Sequence, residues 1–141
     1  VVEGDARNAL GDVFAEAIKL RDPDAAPEQV ERQRDKPLRS PLLIVVVAAI
    51  QPGNPKVPEF EQLLSAGVAA EHMQLAASAM GYGSVWVTGP NALDSTVHAA
   101  LGLGEHDQIA GFLHFGTSKI DTPQVKRPDP EQFIEHWTGA S

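Results

Sequence analysis

Apolar residues fall into alternating helical and strand-like blocks along the chain. Between Asp5 and Leu20, the residues Leu10, Val13, Phe14, Ala17 and Ile18 recur at helical spacing, with Asp5 placed as an N-cap. This predicts an amphipathic helix. Residues 22–40 are polar, charged and broken by Pro23, Pro27 and Pro37, which predicts a mobile surface connection, a lid or a linker, with one helical turn after Pro27. Leu42 to Ala48, LLIVVVA, is a short branched apolar run and reads as a strand covered on both faces. The core is therefore expected to be α/β or α+β.

A loop punctuated by Pro and Gly, QPGNPKVP, leads into the longest periodic segment, Glu59 to Met80. Its small residues lie on more than one helical face, so it can approach other elements on several sides, as a core helix, a subunit interface or both. Gly81 to Ser84 breaks this helix, Val85 to Val87 resumes as a short strand, and Gly89-Pro90 turns the chain. Asp94 or Ser95 can cap a short helix ending near Gly102, and Gln108 to Gly116 is another buried strand. An extended arm with Pro123, Pro128 and Pro130 then precedes one or two helical turns over Glu131 to Trp137. The opening VVEGD, without Met, reads as the tail of a strand entering a turn, so a segment upstream of Val1 is expected.

Composition narrows the function classes. A length of 141 residues with 43% hydrophobic content suits one folding unit and is too short for two. The net charge of −8 is uneven: residues 57–141 hold three basic and ten acidic side chains, and residues 1–56 hold eight and nine. A nucleic-acid partner is disfavoured, because the acidic half repels a phosphate backbone. The absence of cysteine excludes disulfides, thiolate chemistry and cysteine-type zinc sites. The longest apolar run, Leu42 to Ile50, is far short of the ~20 residues needed to cross a bilayer, and no signal peptide is visible. A cytoplasmic protein with no membrane partner is expected.

Little in the sequence points to side-chain catalysis. The histidines at 72, 98, 106, 114 and 136 form no i, i+4 pair and no HExxH, so no metal site is expected, and His114 reads as a structural residue of its strand. No GxSxG elbow occurs, and GTSK at Gly116 to Lys119 lacks the first glycine of a P-loop. The GYG at Gly81 to Gly83 follows a helix and precedes a strand, the reverse of a dinucleotide fingerprint. It can terminate the long helix with a left-handed residue, or let the following strand come close to a flat heterocycle.

Several separated segments, in order, resemble the nitroreductase family, and the resemblance runs along nearly the whole chain. They are RSPLLIVVVA at 39–48, VPEFEQLLSAGVAAEHMQLAASAMGYGS after Lys56, WVTGP at 86–90 and DQIAGFLHFGTS at 107–118. Loop brevity and the KVP followed by EQ look like the small NAD(P)H nitroreductase subgroup. The resemblance implies an α+β fold with a central mixed sheet flanked by helices, a long central dimer helix, and a homodimer with FMN bound between subunits. It places Trp86, Val87, Thr88 and Gly89 against the flavin, and Ala76, Ala77, Ser78, Ala79, Met80 and Gly81 where NADH or NADPH approaches. The implied reaction is ping-pong hydride transfer through flavin to a nitroaromatic, quinone or similar small acceptor, with no catalytic side chain required because the cofactor carries the chemistry.

The pattern departs from the family at its phosphate end. The Arg-Arg-Ser type motif that holds the FMN phosphate is not found, and Lys126 and Arg127 are the candidates for that role or else a solvated basic pair. A chain of this extent is thus expected to bind FMN poorly. Two rival readings follow: a flavin enzyme of the same fold doing fragmentation or dehalogenation, and a non-catalytic dimeric protein without flavin.

Overall fold

A computed structural model describes residues 1–119 and 125–139. The expected strand tail at the start is β1 (Val2–Glu3), followed by α1 (Ala6–Arg21). Asp5 precedes α1 but is itself helical in conformation and makes no side-chain cap; its carbonyl accepts from the N–H groups of Asn8 and Ala9 instead. The cap expectation fails because a capping side chain needs a non-helical N-cap backbone.

Residues 22–40 differ most from expectation. Pro27–Arg34 forms α2, two turns long, and Lys36–Arg39 a 3-10 turn. Pro27 begins the helix with its fixed φ, and the Ala26 N–H donates to Gln29 Oε1 at 3.1 Å. The hairpin of α1 and α2 is tight: a Cβ at Gly11 would stand 2.4 Å from the Arg34 carbonyl oxygen. Arg34 also pairs with Asp12 across it. This segment is packed structure rather than a loose connection.

The strand β2 (Leu42–Ala48) leads through a loop to α3 (Glu59–Ala79), and β3 (Gly83–Val87) follows. Then come α4 (Ser95–Ala100), β4 (Gln108–Gly116) and a 3-10 turn at Pro130–Phe133. One or two helical turns were expected over Glu131 to Trp137, and the structure has one 3-10 turn that stops at Phe133. Part of the expected extended arm, including Pro123, lies outside the described residues.

The sheet order is β1-β2-β4-β3, and every pair is antiparallel among the described residues. The α+β class therefore holds, with antiparallel rather than mixed pairing. Both β2 and β3 run opposite to β4, so they point the same way, and α3 is the crossover between them with β4 inserted. Val46 pairs with Gly111 and Val47 with Ile109, which leaves Ala110 as a bulge that re-aims β4.

Each face of the sheet has its own core. Leu10, Phe14 and Ala17 of α1 and Val97 of α4 pack against Leu43, Ile109 and Phe112 on one face, with Phe14 edge-on to Phe112 at 5.4 Å. Ala70 and Ala77 of α3 pack against Val46, Leu113 and Phe115 on the other. This explains the unbroken apolar run of β2: alternate side chains are needed on both sides.

Candidate active site

The site is built where β3 leaves the sheet. Among the described residues β3 pairs only with β4, and it sends Ser84 and Trp86 toward α3 and Val85 and Val87 to the opposite face. Ser84 Oγ accepts from Gln74 of α3 at 3.1 Å. The Trp86 indole lies between the sheet and α3, donates from Nε1 to the Ala110 carbonyl at 3.2 Å, and rests on Gly111. On the other face, Val85 and Val87 stay open, at 52% and 37% exposure.

Two cavities on that face share Arg39, Val87 and His114. The larger, about 630 Å³, runs along β3 and also collects Arg7, Ser40 and Lys119. The smaller, about 210 Å³, lies above Phe14 and Phe112 and is edged by Lys36, Thr88 and Asn91. Gly89, just past Thr88, has φ 106°, a left-handed value that L side chains rarely adopt, so the turn leaving the site favours glycine.

Hydrogen bonds fix the protonation of His114. Ser40 Oγ donates its one proton to the Leu42 carbonyl at 2.8 Å and lies 2.9 Å from His114 Nδ1. The imidazole must then donate from Nδ1, which leaves Nε2 as an acceptor. Burial, and secondarily the charge of Arg39, lowers the imidazole pKa, so the ring is neutral near pH 7. Arg7 fastens the same corner by donating to the Ser40 carbonyl at 2.7 Å.

The turn after Thr88 is held by a polar network that the sequence pattern did not reveal. Arg21, at the end of α1, pairs with Asp94 and donates to Asn91 Oδ1 at 3.0 Å, while Asn91 Nδ2 donates to Gln33 Oε1 at 3.2 Å. Asp94 Oδ1 also caps α4 by accepting from Thr96 and Val97, as expected of an N-cap. Burial raises the Asp94 pKa, but hydrogen bonds from Arg21 and the two backbone N–H groups, with the guanidinium charge, outweigh it and hold the carboxyl below its usual value.

The residues expected at the site do not share one cavity. Val87 and Thr88 line the smaller one. Trp86 contributes its side chain to a different cavity, of about 370 Å³, with Leu63, Leu64 and Gly67 of α3. Ala76, Ala77 and Met80 line an apolar groove of about 420 Å³ on the α3 face, against Leu42, Ile44 and Phe115. Ser78 and Ala79 are exposed on α3. Gly81, at φ 82°, ends that helix in a Schellman motif, its N–H bonded to the Ser78 carbonyl and that of Tyr82 to Ala77. Lys126 and Arg127 are exposed in a stretch without regular secondary structure and line none of these cavities. Conversely Arg7, Lys36, Arg39 and Ser40 carried no motif; the only local signal was Arg39-Ser40-Pro41 opening β2.

Comparison with known proteins bears on this architecture directly. The sequence profile of the nitroreductase family matches residues 1–117. The chain is 37% identical to "Putative NAD(P)H nitroreductase YdjA" of Escherichia coli K12, across 97% of this chain and 74% of that protein. A "Putative NAD(P)H nitroreductase" of Haemophilus influenzae is 34% identical, across 96% of this chain and 73% of that protein. Among solved structures, a nitroreductase-like family protein from Bacillus cereus superposes with a TM-score of 0.79 at 22% identity, across 98% of this chain and 71% of that one. Among the described residues no helix is long and apolar enough to cross a membrane. The split β2-α3-β3 crossover, the open face of β3 and these sequence matches agree: the chain belongs to the nitroreductase family.

Proposed function

We propose that the protein is an FMN-dependent oxidoreductase that uses NADH or NADPH to reduce a nitroaromatic, quinone or similar small acceptor. The observation that carries this reading is the open cavity beside β3, walled by Val85 and Val87, in a chain of this family. At about 630 Å³ it falls within the ~300–1,000 Å³ of small-molecule sites. Its chemistry suits a flavin: the apolar wall of Val85 and Val87 fits a flat ring, and Arg7, Ser40 and Lys119 fit polar edges. A flavin held there by these residues would supply the redox chemistry, hydride transfer from the nicotinamide and reduction of the acceptor. The chain's own residues bind and orient. Thr88 and Gly89 shape the ring-side wall, the Arg21–Asp94–Asn91 network keeps that turn in place, and Trp86 braces β3 from behind.

Association into a homodimer belongs to the same reading. The helix α3 is apolar around much of its circumference, yet only Ala70 and Ala77 are buried on it. Phe60, Leu64, Val68 and Leu75 form an outward stripe, each more than half exposed. A helix with apolar faces on both sides calls for a second covering surface. Anaerobic mixing of the flavin-loaded protein with NADH or NADPH tests the activity: loss of the flavin absorbance followed by its return on adding a quinone is expected. Failure of both donors to bleach bound flavin would sink the reductase reading.

A further inference from the structure

The strand position beside the proposed flavin wall is occupied by a histidine. His114 of β4 pairs with Val85 of β3 on one side and with Leu43 of β2 on the other, so its ring stands on the same sheet face as Val85. Residues directly opposite in an antiparallel pair hold their Cβ atoms about 4.5–5.5 Å apart. A flat ring laid against Val85 and Val87 therefore meets the imidazole, which lines both cavities of that face. The imidazole is held at one end and open at the other. Nδ1 lies 2.9 Å from Ser40 Oγ, while among the described residues no protein group bonds Nε2, and that atom is not sealed from solvent. Arg7, Lys36, Arg39 and Lys119 are the charged groups around the two cavities, and no carboxylate lines either one. Arginine and lysine ordinarily hold their protons at neutral pH. Burial, then Arg39 and Arg21, lower Lys36 from an ordinary value of 10.5, well on the alkaline side. His114 is the lining base that stands neutral, because burial and then Arg39 lower its pKa.

We propose that His114 takes up a proton at Nε2 when a flavin held in this cavity is reduced, and gives it back when the flavin is reoxidised. This role rests on the flavin reading above. Hydride transfer brings an electron pair and one proton from the nicotinamide to the ring, so the site gains one negative charge. The cations around it have no further proton to take. The proton that compensates the new charge comes from solvent and bonds to the lone pair of Nε2, with the Nδ1 proton still donated to Ser40. A negative charge beside an imidazole favours its protonated form, and by linkage the protonated form favours the reduced flavin. A quinone acceptor takes up a hydride and a proton, and the proton leaving Nε2 balances that demand.

The midpoint potential of the flavin-loaded protein, measured against pH, tests this in the wild type, in His114→Asn and in the control His106→Asn. His106 is exposed and lines neither cavity. Asparagine keeps a donor where Nδ1 meets Ser40 and lacks the Nε2 lone pair. Toward acid pH the potentials of the wild type and His106→Asn should rise above that of His114→Asn, with a slope of up to one more proton per electron pair. Toward alkaline pH, where Nε2 stays free of a proton in both redox states, the three should converge. If His114→Asn does not fold, the carbon-bound imidazole proton signals of the wild type give the same answer: His114 should titrate at higher pH with the flavin reduced than with it oxidised. Parallel potential curves for the wild type and His114→Asn, or an imidazole titration unmoved by reduction, would overturn the role of His114 and leave the flavin reading standing. A wild type that binds no flavin would overturn both.

Discussion

Gly111→Ala is expected to be among the most damaging small substitutions in this protein. A Cβ there would stand 1.9 Å from Trp86 Nε1 and 2.5 Å from its Cδ1, inside any tolerable contact. The backbone of Gly111 is held in the ladder opposite Val46, so the indole must move. Moving it forfeits the 3.2 Å bond to the Ala110 carbonyl and disturbs packing with Leu113 and Ala66. Overpacking costs about 1–3 kcal/mol, and the lost hydrogen bond about 1 kcal/mol, for a total near 2–4 kcal/mol. Urea unfolding gives the cost from the midpoint and slope. Repeating the substitution in a Trp86→Leu background isolates its origin, because most of the penalty should vanish once the indole is gone. A Gly111→Ala protein within about 0.5 kcal/mol of the wild type, or an equal penalty in both backgrounds, would refute the placement of Trp86 against Gly111.

Asp94→Ala removes the α4 cap and the partner of Arg21 together; a loss of about 2–4 kcal/mol in urea unfolding is expected. Because the folded state holds the Asp94 pKa below its usual value of 3.8, its contribution is present above about pH 4 and lost as pH falls through the folded value. Asp94→Asn should therefore flatten the acid side of the stability profile, and an unchanged profile would contradict the pairing. Val68→Glu, on the exposed stripe of α3, should shift the protein from dimer to monomer in sedimentation. A wild type that sediments as a monomer would remove the interface reading of that helix.

How far the sequence alone could go follows from what each segment buries. Both β2 and β4 were legible because both sheet faces are covered and the strands are nearly all apolar, and the Asp94 cap was legible because capping is local. The helix α2 was hidden: Val30 is its only buried residue, so PEQVERQR carries no apolar period, and its stability comes from the close approach to Gly11 and from Pro27 and Gln29 at its start. Those two residues were the available signal. The family resemblance located β3 and its turn, but it could not tell which face each side chain takes. Alternation along β3, fixed by pairing with β4, sends Trp86 to the α3 side and Val87 to the cavity. The basic corner of Lys36, Arg39 and His114 was illegible, since it joins a 3-10 turn to a strand over seventy residues away in sequence.

Titration of the purified protein with FMN tests most directly whether the cavity beside β3 receives flavin. Saturable quenching of flavin fluorescence, with a protein-induced change in the visible flavin bands, is the predicted result. A protein that leaves the fluorescence and absorbance of added FMN unchanged at every concentration would contradict it.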